Sequence, residues 1–187
     1  MKKTLIVSAF SACGKTFLFN HQNELLFKSF EERIHFSFLD SDSSKFEKYE
    51  GWEKDYVDHV ETELGKVDFI FVTQHSVVLD ELKRRCLPFV MVVPNNIYGT
   101  ERDKQLTKQQ WFGRIILRDN SFINGDFDKW LKHLSEKYDN WINIETIDKY
   151  NPVSFFTLNA DQYLSDIIED LYWRKETYNC YTHAVKD

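Results

Sequence analysis

The sequence predicts an α/β fold with a parallel sheet, and three observations carry that expectation. The segments Val67–Thr73 and Pro88–Val93 are nearly continuous apolar runs, the pattern of strands buried on both faces. Flanking these runs are stretches of helical period, such as Trp52, Tyr56, Val60 and Leu64 at successive i, i+4 positions before the first of them. Strands alternating with helices of about ten to fifteen residues are the signature of βαβ units.

Taken in order, Leu5-Ile6-Val7 opens the chain as a short buried strand, and a helix is expected from Lys15 to about Phe27. Ile34–Leu39 alternates and reads as a second strand, followed by the polar turn Asp40-Ser41-Asp42-Ser43-Ser44. A helix over Trp52–Leu64, the strand Val67–Thr73, a helix over Ser76–Arg85 and the strand Pro88–Val93 come next, with Pro94-Asn95-Asn96 as the stop. Thr100–Asn120 is helical and polar, and carries Arg102, Lys104, Lys108, Arg114 and Arg118. A helix at Asp126–Tyr138, a last strand at Trp141–Ile147 and a last helix at Ala160–Trp173 complete the pattern. There is no internal repeat or low-complexity segment, so residues 1–187 read as one unit.

Bulk properties narrow the function classes. A chain of 187 residues with 42% apolar content is long enough to bury about 70% of its unfolded surface. No apolar run approaches the roughly 20 residues of a membrane helix. The N-terminal MKKTLIVSAFSAC has a signal-like outline, but its apolar core is short, Ser8 interrupts it, and Gly14-Lys15-Thr16 explains it better. The expectation is a cytoplasmic protein with no membrane partner. Cys13, Cys86 and Cys180 are odd in number and scattered, against a disulfide framework or a zinc site. A net charge of −6 argues against broad nucleic-acid binding. The 16 phenylalanines speak for a well-filled core, and a homodimer is compatible with the sequence.

The chemistry concentrates in the stretch after the first strand. Ala9-Phe10-Ser11-Ala12-Cys13-Gly14-Lys15-Thr16 fits the Walker A pattern G-x-x-x-x-G-K-[ST] at every position but the first, where Ala9 replaces glycine. Such a loop cradles phosphates with successive backbone N–H groups, so its side chains must be small, as Ser11, Ala12 and Gly14 are. Lys15 would reach the β- and γ-phosphates of ATP, and the Thr16 hydroxyl would hold Mg²⁺. Alanine at position 9 costs something if that backbone needs positive φ. Phe10 is bulky for a phosphate loop and is expected to point outward. Cys13, beside Lys15 at a helix start, is expected to favour its thiolate. The competing reading is a strand-turn-helix with chance composition.

Ligand sites in parallel sheets lie at the carboxyl ends of the strands. Four strand ends therefore converge on one rim: the Ala9–Thr16 loop, Asp40-Ser41-Asp42, Thr73-Gln74-His75 and Pro94-Asn95-Asn96.

With these motifs, the chain resembles the small P-loop kinases, a group that includes the nucleoside monophosphate, shikimate and gluconate kinases. It looks most like the nucleoside-monophosphate-kinase-like proteins of phages and prophages. The residues that carry the likeness are Ser11–Thr16, Leu39–Ser44, Phe71–His75, Val93-Pro94-Asn95 and Gln109–Arg118 leading toward Trp141; the loop alone is specific. The resemblance implies a three-layer P-loop NTPase fold with about five parallel strands in order 2-3-1-4-5. It also implies a helical lid over about residues 97–124, and phosphoryl transfer from ATP to a small acceptor, foremost a nucleoside monophosphate. Leu39–Asp42 is also similar to the Asp-x-Asp turn of shikimate kinases, which makes a shikimate- or gluconate-type kinase the alternative. The glycine-rich acceptor loop of that family is missing. Ala9 and the sparse lid arginines leave room for a third reading, a nucleotide-binding accessory protein without catalysis.

Roles follow from these expectations. Lys15 supplies charge, and Ser11, Ala12, Cys13, Gly14, Lys15 and Thr16 hold the triphosphate. Thr16 and Asp40 hold the metal, while Asp40, Asp42, Gln74 and His75 meet the acceptor; plain turn chemistry for the two aspartates, and a helix-capping or structural role for Gln74 and His75, weigh as heavily. Arg114 and Arg118, four apart on one helix face, would grip phosphate oxygens, against a solvated basic face as the bland reading. Trp111 and Phe112 would anchor that helix to the core. Asp68 begins its strand and reads as a local cap. The histidines His21, His35, His59, His133 and His183 show no ligand spacing.

Overall fold

The computed structural model describes residues 2–28, 33–118, 127–175 and 177–178. Its centre is a five-stranded sheet in which every paired neighbour is parallel. β1 (Leu5–Ala9) is the middle strand, flanked by β5 (Phe69–Val72) and β6 (Phe89–Pro94). β4 (Phe38–Asp40) and β7 (Ser154–Leu158) form the edges. Counted along this sheet, the strand order is 2-3-1-4-5, as expected. All residues of β1, β5 and β6 are buried, which is why their sequences carry no alternation.

α2 (Trp52–Glu63), α3 (Ser76–Arg84) and α6 (Ile144–Tyr150) pack as neighbours. α1 (Lys15–His21) and α7 (Ile168–Arg174) meet through the 3-10 turn Leu164–Asp166. α4 (Glu101–Arg118) and α5 (Phe127–Trp141) belong to the long connection from β6 to β7. No helix among the described residues is long and apolar enough to cross a membrane.

Four element boundaries differ from the sequence reading. α1 stops at His21, because the chain then turns to bring Phe27 onto Phe36 at 4.9 Å, and β2 (Phe27–Lys28) pairs antiparallel with β3 (Arg33–Ile34). The second sheet strand shrinks to Phe38–Asp40, with the Gln22 side chain accepting from the Phe38 N–H.

The expected last strand at Trp141–Ile147 is instead the end of α5 and the start of α6. Asn143 caps α6 by accepting from the Thr146 N–H at 2.8 Å, and Ile147 and Tyr150 fall on its buried face. The real edge strand is Ser154–Leu158, just past Pro152. The expected last helix begins as a loop and a 3-10 turn, and becomes α-helical only at Ile168. Asn120, Asp126, Cys180, His183 and the end of the expected lid at 119–124 lie outside the described residues.

Asp68 does cap the start of its strand. Its carboxylate accepts from the Ser37 N–H at 2.9 Å and pairs with Lys2 at 2.9 Å and Lys175 at 3.3 Å. These contacts hold the carboxyl below its usual range against burial, which pushes it up. The amino-terminal edge of the sheet is thereby laced to the end of α7, away from the rim.

Candidate functional site

The loop between β1 and α1 takes its shape from two left-handed residues, Ala12 (φ 59°) and Gly14 (φ 99°). Alternation of this kind lets successive N–H groups converge on an anion. Glycine tolerates such a backbone freely, whereas Ala12 adopts it at a cost. Ala9 does not: it ends β1 in extended conformation, so the missing first glycine carries no strain.

Phe10 does not point outward. It is buried, with its ring 5.0 Å from Trp111 and 6.4 Å from Tyr138. Trp111 on α4 is 2% exposed, and its indole N–H donates to the Ser11 carbonyl at 2.7 Å. One aromatic cluster therefore fastens α4 and α5 to the loop, and the anchoring role expected of Trp111 is present. The loop is also tied from the other side, where the Leu164 N–H donates to the Cys13 carbonyl at 2.9 Å.

Burial corrects the expectation for Cys13. Desolvation pushes its thiol up to about 11, overriding the opposite pull of Lys15, Arg114 and Arg118. The group is a protonated, packed thiol.

Lys15 lies across the loop, its Nζ donating to the carbonyls of Ala9 (2.6 Å) and Phe10 (3.1 Å). Burial lowers its pKa, while Cys13, Asp40 and Asp42 raise it. The Thr16 hydroxyl donates to Asp40 Oδ2 at 2.7 Å. Residues 24 apart in sequence are thus joined because β4 ends beside the start of α1. Hard oxygens in this arrangement suit Mg²⁺, which takes one or two protein ligands and completes its shell with phosphate and water. Among the described residues no cluster of three or more His, Cys, Asp or Glu forms a metal cage.

Two cavities meet at Lys15, Thr16 and Arg118. The first, about 490 Å³, lies over the strand tips and gathers Ser11, Asp40, Asp42, Gln74 and His75. The expected convergence on the rim is realised, except that Asn95 and Asn96 stand apart. Asn95 binds Asn159 and Asn96 the Ile142 carbonyl, and neither lines the cavity.

Within the first cavity, Asp42 does turn chemistry. Its two oxygens accept from the Ser44 N–H (2.9 Å) and hydroxyl (2.8 Å), and these bonds, the backbone one foremost, hold its carboxyl low. Gln74 donates to the Ser8 (3.0 Å) and Val92 (3.3 Å) carbonyls, which fixes its side chain across the ends of the central strands. His75 is exposed at the start of α3, with its ring edge-on to Trp52. Partial desolvation, then the charges of Lys48 and Lys137, hold its imidazole below the usual range. Sequence reasoning missed Lys137 and Trp141, which also line this cavity. Their i, i+4 spacing on α5 was a usable signal, hidden by reading Trp141 as strand.

The second cavity, about 680 Å³, runs from Gly14 along α1 and α4 and is walled by Phe17, Leu117 and Tyr163. None of the three was singled out from sequence. Arg114 faces this side, and its guanidinium donates to the carbonyls of Ala160 (2.6 Å) and Gln162 (2.9 Å) while lying 3.8 Å from the centre of the Tyr163 ring. Arg118 borders both cavities. The two arginines share a helix face, as their spacing requires, yet they do different things.

Searches of protein families, curated proteins and solved structures find no significant match to the chain.

Proposed function

We propose that this chain is a phosphotransferase of the P-loop kinase type, which binds ATP with Mg²⁺ and passes the γ-phosphoryl group to a small acceptor, foremost a nucleoside monophosphate. The observation that carries this reading is the 2.7 Å bond between Thr16 and Asp40, set beside Lys15 where the two cavities join. A kinase needs that junction: donor on one side, acceptor on the other, with the transferring group, a metal and a cation between them.

In this assignment the triphosphate lies along Ser11–Thr16, and the donor base extends into the cavity beside α1. Lys15 exchanges its loop carbonyls for phosphate oxygens. Thr16 and Asp40 would hold Mg²⁺, which neutralises charge on the phosphate chain when bound. The acceptor occupies the rim cavity, its anionic group facing Arg118 and Lys137.

An oxygen of the acceptor phosphate attacks the γ-phosphorus in line, the bond from that phosphorus to the β–γ bridging oxygen breaks, and ADP leaves. A phosphate nucleophile is already anionic and needs no general base. That agrees with an Asp42 whose carboxylate is held by Ser44. The same bonds weigh against the shikimate or gluconate alternative, in which Asp42 would have to orient a hydroxyl.

The test is ADP release from ATP·Mg²⁺ across a panel of nucleoside and deoxynucleoside monophosphates, with shikimate and gluconate included. Acceptor-dependent ADP with a monophosphate is the expected result. Turnover with shikimate or gluconate alone would establish the alternative. ATP binding without turnover on any acceptor would favour a non-catalytic nucleotide-binding role.

A further inference from the structure

We propose that the cavity beside α1 is a base-tolerant donor site, one that stacks the nucleobase of a nucleoside triphosphate without reading its hydrogen-bonding edge. This rests on the reading of Ser11–Thr16 as the triphosphate site. The cavity begins at that loop, and its far walls are the side chains of Phe17, Leu117 and Tyr163. Phe17 is 50% exposed and Leu117 85% exposed, large apolar surfaces that the core does not use. Phe17 has its ring stacked at 4.4 Å on His21, and Tyr163 is backed by the Arg114 guanidinium at 3.8 Å. Both rings are thus held in place by neighbours, as a stacking platform requires.

Several polar groups of the loop that leads to Tyr163 are bound within the protein. In the loop from Asn159 to Tyr163, the Asn159 Oδ1 accepts from Asn95 at 2.8 Å, and the Gln162 Oε1 accepts from the Asn159 N–H at 2.9 Å. The Tyr163 N–H donates to Asp166 at 2.7 Å, and Arg114 takes the Ala160 and Gln162 carbonyls. The lining hydroxyls of Tyr163 and Ser165 rotate to donate or accept as the base demands, and Arg118, the remaining charged group of the wall beside Lys15 and Arg114, stands at the junction with the rim cavity. Sites that discriminate by orders of magnitude do so by leaving buried polar partners unpaired against the wrong ligand. Apolar faces offer no such penalty, since every base has a π-face to stack.

Calorimetric titration of the full chain with the Mg²⁺ complexes of ATP, GTP, CTP and UTP, and with Mg²⁺ tripolyphosphate, tests this. The four nucleotides should bind within about five-fold of one another, and all should bind at least about ten-fold more tightly than tripolyphosphate. Phe17→Ala and Leu117→Ala, at exposed positions, should each weaken all four nucleotides by a common factor and leave tripolyphosphate unchanged. One nucleotide favoured by more than about thirty-fold would overturn base tolerance while leaving the phosphate site standing. Tripolyphosphate binding as tightly as the nucleotides, or nucleotide affinities unmoved by both substitutions, would overturn the placement of the base. Absence of binding by all five ligands would overturn the triphosphate reading and this proposal with it.

Discussion

The two cavities that meet at Lys15 are made from different material. The one over the strand tips is built from short segments that each follow an apolar strand: Ser11 after β1, Asp40 and Asp42 at the end of β4, Gln74 and His75 after β5. Its polar groups are densely bonded to backbone, as Gln74 is to Ser8 and Val92. The one beside α1 is assembled from helix faces and a distant loop, with Phe17, Leu117 and Tyr163 brought together from three parts of the chain. The difference separates two kinds of work. In the proposed reading, hydrogen-bonded strand ends fix positions for phosphoryl transfer, while apolar helix faces supply contact area for a nucleobase.

Substituting at the junction should produce the largest effect. Lys15→Ala is expected to lower phosphoryl transfer by about 10²–10³-fold, since it removes the cation nearest the transferring group. An unchanged far-ultraviolet circular dichroism spectrum would confirm that the fold survives. Undiminished transfer would remove Lys15 from the chemistry.

Arg114 and Lys137 sharpen the contrast between the two sides. Arg114→Ala gives up two charge-assisted bonds to loop carbonyls, a loss of about 2 kcal/mol. The melting temperature should drop by roughly 5 °C on thermal unfolding. Lys137→Ala should leave the melting temperature within about 1 °C, because most surface substitutions are that mild. It should instead raise KM for a monophosphate acceptor by about five- to ten-fold, the loss of one charge-assisted contact. Equal effects of the two substitutions on stability would break the distinction.

A smaller effect concerns Cys13. Its thiol, pushed up to about 11 by burial, should react with iodoacetamide at pH 8 at least about ten-fold more slowly than a free cysteine near 8.5. Mass spectrometry of the Cys13 peptide would follow it, and rapid modification would show that the loop opens readily.

The smallest effect belongs to His75. Its folded pKa lies below the ordinary 6.5, so the unfolded chain binds that proton more readily. The stability this creates is fully present above about pH 6.5 and is lost as pH falls from there through the folded value. His75→Gln should flatten the part of the urea-midpoint profile that falls away below about pH 6.5.

Much of the fold was legible because the central strands are buried on both faces and say so in Phe69–Val72 and Phe89–Val93. The edge strands were harder. Phe38–Asp40 is three residues long, and Ser154–Leu158 sits behind Pro152 with only its last residue fully buried. Trp141–Ile147 mimicked a strand because Ile142 and Ile144 alternate, although the Asn143 cap and the spacing of Ile147 and Tyr150 mark the start of a helix. The candidate site divides in the same way. Lys15, Thr16, Asp40, Gln74 and His75 were placed by local pattern. What Arg114 does depended on carbonyls 46 and 48 residues away, and the burial of Phe10 depended on Trp111 and Tyr138. Such partners are tertiary facts, and periodicity does not carry them.

The pairing of Thr16 with Asp40 is tested most directly by titrating ATP into the wild-type chain and into Asp40→Asn, each with and without Mg²⁺, by calorimetry. The expected result is that Mg²⁺ tightens ATP binding to the wild type by at least about ten-fold and that Asp40→Asn loses most of this gain while still binding ATP. Equal Mg²⁺ dependence in the two proteins, or no ATP binding by the wild type, would contradict it.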